Sequence, residues 1–256
     1  MIVQGRAALS WPCLFHEGVV VLEVDFHVHS LFSLCGLHTI LELVARAGEL
    51  GMKGFAVTDH GLTVGGRLTS VFFERFVSPD PQVRVLKGIE CNVLDEKGTI
   101  DLPHAYLPFM DIVLCGIHYN FPKENTRETC TDSLIAVIEN NPQVDCITHP
   151  NDNSYPVDYR KLAAVAALHG VALELNNSKI LYQRSTVDEA VAILSACRDA
   201  GCRVAVNSDT HAILELGNDR SVAPLLEQTG FPEELVVNRD AASAFAFVEE
   251  RRQLKR

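Results

Sequence analysis

The sequence predicts a barrel of seven strand-helix units, on three observations. A chain of 256 residues suffices for one large domain with a full core and is too short for two ordinary domains joined by a generous linker. From Val19 onward, short β-branched runs alternate with longer stretches of helical period, as βα units around a parallel sheet do. Neither Gly-x-Gly-x-x-Gly after the first strand nor a Walker-type loop is present, which disfavours an open doubly wound sheet.

Seven runs rich in Val, Ile or Leu are the expected strands: 19–26, 54–57, 83–89, 111–115, 144–147, 171–175 and 202–206. Between them apolar residues recur at three and four. Ile40, Leu43, Val44 and Ala47 mark one helix, Cys130, Leu134, Val137 and Ile138 a second, and Val187, Val191 and Leu194 a third. Gly51, Gly170 and Gly201 follow helical stretches, where a left-handed cap is easiest for glycine. Residues 240–256 read as a closing C-terminal helix, and 1–20 as an N-terminal extension to a barrel domain over 21–256.

Composition removes several classes of function. Hydrophobic residues make up 47% and charged residues 21%, which is globular usage. No apolar run reaches the ~18 residues of a membrane span, and the first twenty residues lack the apolar segment and cleavage site of a signal peptide. With 33 acidic against 22 basic residues the formal charge is −11, so the mean field repels phosphate backbones and no nucleic-acid partner is expected. A small anionic substrate would need local positive charge, and metal ions can supply it. Eight cysteines without a C-x-x-C pair, most inside apolar stretches, suggest free thiols and a cytoplasmic protein.

Position is the most informative feature, because nearly every expected strand ends in a residue type that binds divalent metals. Asp25, His27 and His29 close the first strand, Asp59 and His60 the second, and Glu90 the third. His118 closes the fourth, His149 the fifth, Glu174 the sixth, and Asp209 with His211 the seventh. A barrel gathers its catalytic groups on that face, and six of the ten histidines lie there. His27 and His29 alternate, so an extended backbone points both to one side, and Asp209-Thr210-His211 repeats the pattern. Glu90 sits where an unpaired carboxylate would be costly, and bridging two cations removes that cost. His16, His104 and His169 lie away from strand ends and are not assigned. Cys35 and His38, in the loop after the first strand, are both within reach of the site.

Taken together, Asp25-Phe26-His27-Val28-His29-Ser30, Thr58-Asp59-His60-Gly61, Gly88-Ile89-Glu90, Gly116-Ile117-His118, Thr148-His149-Pro150, Glu174-Leu175-Asn176-Asn177-Ser178 and Ser208-Asp209-Thr210-His211 resemble, in order, the motifs of the PHP (polymerase and histidinol phosphatase) superfamily. The likeness is to its YcdX-type phosphatase branch. The resemblance implies a distorted (β/α)7 TIM-like barrel with three divalent metal ions, zinc first, with manganese or iron as alternatives. It implies one ion held by His27, His29, Glu90 and His211, and a second by Glu90, His118 and His149. A third would be held by His60, Asp209 and a residue six positions after His29. That residue is a histidine in the branch and Cys35 here, and a thiolate ligates zinc well at ~2.3 Å. Cys35 is the expected ligand at this place, with His38 swinging in from three residues downstream, or a weak third site, as the alternatives.

Side-by-side cations support phosphate ester hydrolysis by metal-bound hydroxide, with Glu90, Asp209 and His211 as the expected catalytic residues. Asp25 and Asp59 are expected to orient ligand imidazoles, Glu174 and Asn176 to bind metal-bound water or shape the pocket. Arg67 reads as a solvated arginine with a phosphate contact as the alternative. The leading reading is a phosphomonoesterase acting on a small phosphorylated molecule. Competing readings are a phosphodiesterase or nuclease, a histidinol-phosphatase-like enzyme, amidohydrolase-like C–N hydrolysis, and a metal-binding protein without catalysis. Homo-oligomerisation is left open.

Overall fold

The computed structural model describes residues 21–67, 69–121 and 124–255. Seven parallel strands pair in sequential order: β1 (Val24–Val28), β2 (Gly54–Val57), β3 (Arg84–Asn92), β4 (Ile112–Gly116), β5 (Cys146–Ile147), β6 (Ala172–Asn176) and β7 (Val204–Asn207). The helices are α1 (Ile40–Glu49), α2 (Ser70–Arg75), α3 (Arg127–Asn140), α4 (Tyr159–His169), α5 (Asn177–Leu181), α6 (Val187–Ala200), α7 (Ala223–Thr229) and α8 (Ala241–Arg252). This is the expected distorted (β/α)7 barrel. The extension expected over 1–20 lies outside the described residues, as do Cys13 and His16.

Several strands run further toward their C-terminal ends than expected. An apolar run stops at its first polar residue, but the hydrogen-bonded ladder does not: Glu90 pairs with Leu114, and Asn176 with Asn207. Residues 19–20 of the first expected strand lie outside the described residues, 21–23 precede the strand that begins at Val24, and the fifth strand keeps only Cys146–Ile147. Helix punctuation follows the sequence. Thr39 and Glu42 form a reciprocal cap on α1, and Gly51, Gly170 and Gly201 take φ of 74°, 65° and 65°.

The barrel interior is layered. Val24, Phe26, Ala56, Leu86, Ile112 and Leu114 fill its lower part, where α8 plugs the mouth with Ala244, Phe247 and Val248. Further along the same inward-facing rows stand Glu90, Glu174 and Asn207, so the interior changes from apolar to polar at the strands' C-terminal ends. An outer shell of Val, Ile and Leu packs the strands against the helices.

The ring closes between β7 and β1 mostly through side chains. Asn238 Nδ2 donates to the carbonyls of Val24 and Val206 while its Oδ1 accepts Val206 N–H, and Asn207 Oδ1 accepts Phe26 N–H. Main-chain bonds at the top complete the seam, His29 N–H to Thr210 O at 2.9 Å and Thr210 N–H to His27 O at 3.1 Å. Among the described residues no helix is long and apolar enough to cross a membrane, and their seven cysteines are free thiols.

Candidate metal centre

The ladder between β1 and β2 steps from Asp25 opposite Phe55 to Val28 opposite Val57, so β1 carries one extra residue. Such a bulge lets Phe26 enter the apolar interior while the next residue, His27, also turns inward. His29 follows on the same side. After β1 the chain turns tightly, and a Cβ at Gly36 would lie 2.0 Å from Ser30 O. The turn carries Cys35 back over the barrel mouth, where Leu37 N–H donates to His211 O at 3.0 Å. At Gly116 a Cβ would meet Thr148 Oγ1 at 2.2 Å, so only glycine lets Thr148 and His149 approach β4. His149 and Asp209 hold φ of 34° and 57°, strained values for side-chain-bearing residues that recur at functional sites.

Glu90 stands fully buried at the centre. Its Oε1 lies 3.3 Å from His27 Nε2, 3.4 Å from His118 Nε2 and 3.0 Å from His149 Nε2, and it accepts Thr148 Oγ1–H at 2.8 Å. Its Oε2 lies 2.9 Å from His60 Nδ1 and 3.5 Å from His29 Nε2. Yet Glu90 Oε2, His60 Nδ1 and both ring nitrogens of His118 are buried without a hydrogen bond of proper geometry. Orphaned buried polar atoms are costly, and here they converge.

The tautomers say what they converge on. His27 Nδ1 is 2.7 Å from Glu174 Oε1, a carboxylate that can only accept, so Nδ1 carries the proton. His29 Nδ1 faces Ser33 Oγ at 3.2 Å, and Ser33 uses its own proton on Asp59 Oδ1 at 2.7 Å. The Nε2 atoms of neutral His27 and His29 therefore present lone pairs to one another across 3.1 Å. Two lone pairs need a cation between them, a proton or a metal ion. Burial by itself would depress His27, but Glu90, Glu174 and Asp209 raise it well above its ordinary pKa, while burial and then His211 and His60 hold His29 well below. Without metal, a proton on His27 fills the gap. Donors with these free lone pairs fit divalent metal.

Three groups of donors, each with its ligand atoms within 4.8 Å of one another, cover this space: His29, Cys35, His60 and His211; His27, His29 and Glu90; His60, Glu90 and His118. His149 adjoins the last through Glu90, and Asp209 Oδ1 lies 3.5 Å from the Nε2 atoms of both His27 and His29. The structure thus brings together all nine residues expected as metal ligands. His38 is not in these groups, and its carbonyl accepts Leu31 N–H in the loop. Although burial opposes it, contacts with His211 and His60 bring the Cys35 thiol down to about 6. His60 rises to about 10, burial being overcome chiefly by Glu90, and His211 to about 9, there chiefly by Cys35.

Two supporting roles differ from expectation. Asp25 contacts no imidazole; it accepts the N–H groups of His27, Ser208 and Gly217 and the Ser208 hydroxyl, tying the seam together. Glu174 does the work expected of Asp25, because it reaches His27 Nδ1 from across the interior and also accepts His149 N–H at 2.7 Å. Asp59 acts on His29 through Ser33 rather than directly on His60. Arg67 is exposed and does not line the pocket.

Sequence reading missed Ser33 and Lys179 and gave Thr148 no role of its own. The only signal for Lys179 was its place one residue beyond the strand-end motif that stops at Ser178. Its Nζ pairs with Asp209 Oδ2 at 2.6 Å, and that partner raises its pKa against the opposing effect of burial. Lys179 opens, with Cys35, His60, Glu90, His118, His149, Asp209 and His211, into a pocket of about 740 Å³ whose walls include Leu34, Leu37, Val64, Ile117, Tyr119 and Tyr182.

Comparison with known proteins places the site in context. Residues 25–178 match the family described as the PHP domain. A probable phosphatase of Shewanella loihica is 36% identical over 235 residues, covering 89% of this chain and 94% of that protein. One from Caldicellulosiruptor saccharolyticus is 31% identical, covering 89% and 96%. Among solved structures, histidinol phosphate phosphatase from Lactococcus lactis, complexed with zinc, L-histidinol and phosphate, superposes with a TM-score of 0.58 at 14% identity, covering 82% of this chain and 94% of that one.

Proposed function

Since the chain belongs to the PHP domain family, we propose that it is a metal-dependent phosphatase that hydrolyses a phosphomonoester of a small molecule. The observation that carries this reading is Glu90: each carboxylate oxygen is approached by a buried imidazole nitrogen that has no hydrogen bond, His118 Nε2 beside Oε1 and His60 Nδ1 beside Oε2. The three donor groups support three divalent cations, zinc first given the thiol of Cys35, with manganese or iron as alternatives. We take His27, His29, Cys35, His60, Glu90, His118, His149, Asp209 and His211 as their ligands. When bound, such ions supply Lewis acidity and a nucleophile at neutral pH.

The chain's own residues then orient and exclude. Glu174 fixes the tautomer of His27, and Asp59 fixes that of His29 through Ser33. We assign the reaction to Glu90, Asp209 and His211. Glu90 stands between the donor groups, Asp209 presents Oδ1 to His27 and His29, and His211 is held at the pocket by its Nδ1 against the Asp209 carbonyl at 2.9 Å. The pocket walls are largely apolar and the whole chain carries a formal charge of −11. That combination suits a small organic leaving group better than a polyanionic strand.

The test is hydrolysis of a generic aryl phosphate and of a bis-aryl diester by wild type, chelator-stripped and Glu90→Gln protein, with elemental analysis of each. Expected are monoesterase activity restored by added metal, and a loss on the order of 10³-fold in Glu90→Gln. Activity indifferent to chelation would remove the metal mechanism, and preference for the diester would make the enzyme a phosphodiesterase.

A further inference from the structure

Lys179 carries chemistry that the metal donors do not account for. It lies in the first turn of α5, only 7% exposed, and lines the same pocket as His60, Glu90, His118 and His149. Its backbone is fixed on both sides: Lys179 N–H donates to Asn176 Oδ1 at 3.0 Å, and its carbonyl accepts Arg184 N–H at 2.8 Å and Ser185 N–H at 2.9 Å. The ammonium donates to Asp209 Oδ2, which also accepts Asn176 Nδ2–H at 3.2 Å. An ammonium has three N–H donors, so two remain for a ligand in the pocket.

Its charge also remains available. Arg184, another cation on the pocket wall, is matched by its own carboxylate, Asp152 Oδ2 at 2.6 Å. Asp209 by contrast is divided, Oδ2 on Lys179 and Oδ1 toward the imidazoles of His27 and His29. A carboxylate shared with metal-site donors neutralises its lysine only in part. A buried, pre-positioned cation with free donors is what an incoming phosphoryl dianion needs.

We propose that Lys179 binds the phosphoryl group of the substrate, bridging it to Asp209. This rests on the phosphatase reading for its ligand, but it can be read without turnover. Inorganic phosphate binding to metal-loaded wild type, Lys179→Gln and Lys179→Arg is measured by calorimetry, beside metal content, thermal unfolding and aryl phosphate kinetics. Expected is a phosphate Kd raised roughly 10- to 100-fold in Lys179→Gln with metal content unchanged, and recovered to within a few-fold in Lys179→Arg. For kinetics, kcat/KM falls in parallel.

Phosphate binding within twofold of wild type in Lys179→Gln overturns the proposal, as does loss of metal together with phosphate, which would make Lys179 only a support for Asp209. Failure of wild type to bind phosphate overturns it too. A wild type that binds phosphate through Lys179 but hydrolyses no ester would instead sink the phosphatase reading and leave this one standing.

Discussion

The two ends of the barrel bury charge in opposite ways. At the lower mouth Asp145 holds Arg251 Nε at 3.0 Å and Lys255 Nζ at 2.7 Å, and the remaining Arg251 donors reach the carbonyls of His169, Pro142 and Val144. Each of these charges has an opposite partner and its donors are used. At the upper mouth Glu90 is crowded by five imidazoles, yet atoms of Glu90, His60 and His118 are left without a hydrogen bond. A closed network serves the fold; an open one is set for an ion from outside.

The largest way to break this contrast is Asp145→Ala. It strands two buried cations and should cost about 3–5 kcal/mol in denaturant unfolding, while the folded fraction keeps its activity. A loss below 1 kcal/mol, or selective loss of activity, would mean the lower network is not the structural one. Glu174→Gln should do the reverse, lowering metal affinity or activity roughly 10- to 100-fold as His27 loses its tautomer, with the circular dichroism spectrum retained. Unchanged metal affinity would remove Glu174 from the centre.

The smallest effect sharpens the contrast among cysteines. In metal-free protein the Cys35 thiol titrates at about 6, so thiolate dominates above that pH and is lost as pH falls through it. Carbamidomethylation of Cys35, followed by mass spectrometry, should stay near its plateau from pH 8 to 7 and then fall about tenfold per pH unit below 6. Cys91, Cys115 and Cys146, pushed up by burial, should stay unmodified throughout. Protection of Cys35 by added zinc would support its place as a ligand.

What the sequence made legible follows from local physics. Strands buried on both faces read as continuous apolar runs, and metal-type residues at their ends could be counted because a parallel barrel puts those ends on one face. Less legible was anything decided across the ring. That Glu174 rather than Asp25 serves His27 depends on a contact between residues 147 apart in sequence. The bulge that turns both Phe26 and His27 inward leaves no pattern that alternation can detect, and α2, only six residues long, is too short to show a helical period. Cys35 and His38 were indistinguishable by distance along the chain, and the tight turn at Gly36 separates them.

The seam between β7 and β1 has a consequence for how the protein is made. His27 lies in the first strand and His29 directly after it, whereas Asp209 and His211 follow the last, and Thr210 joins the two segments by main-chain bonds. On the ribosome, the early histidines therefore wait through synthesis of nearly the entire ring before their counterparts emerge. Assembly of the centre and closure of the ring become one late event, and an ion bound by donors from both sides of the joint would add its binding free energy to the closed form.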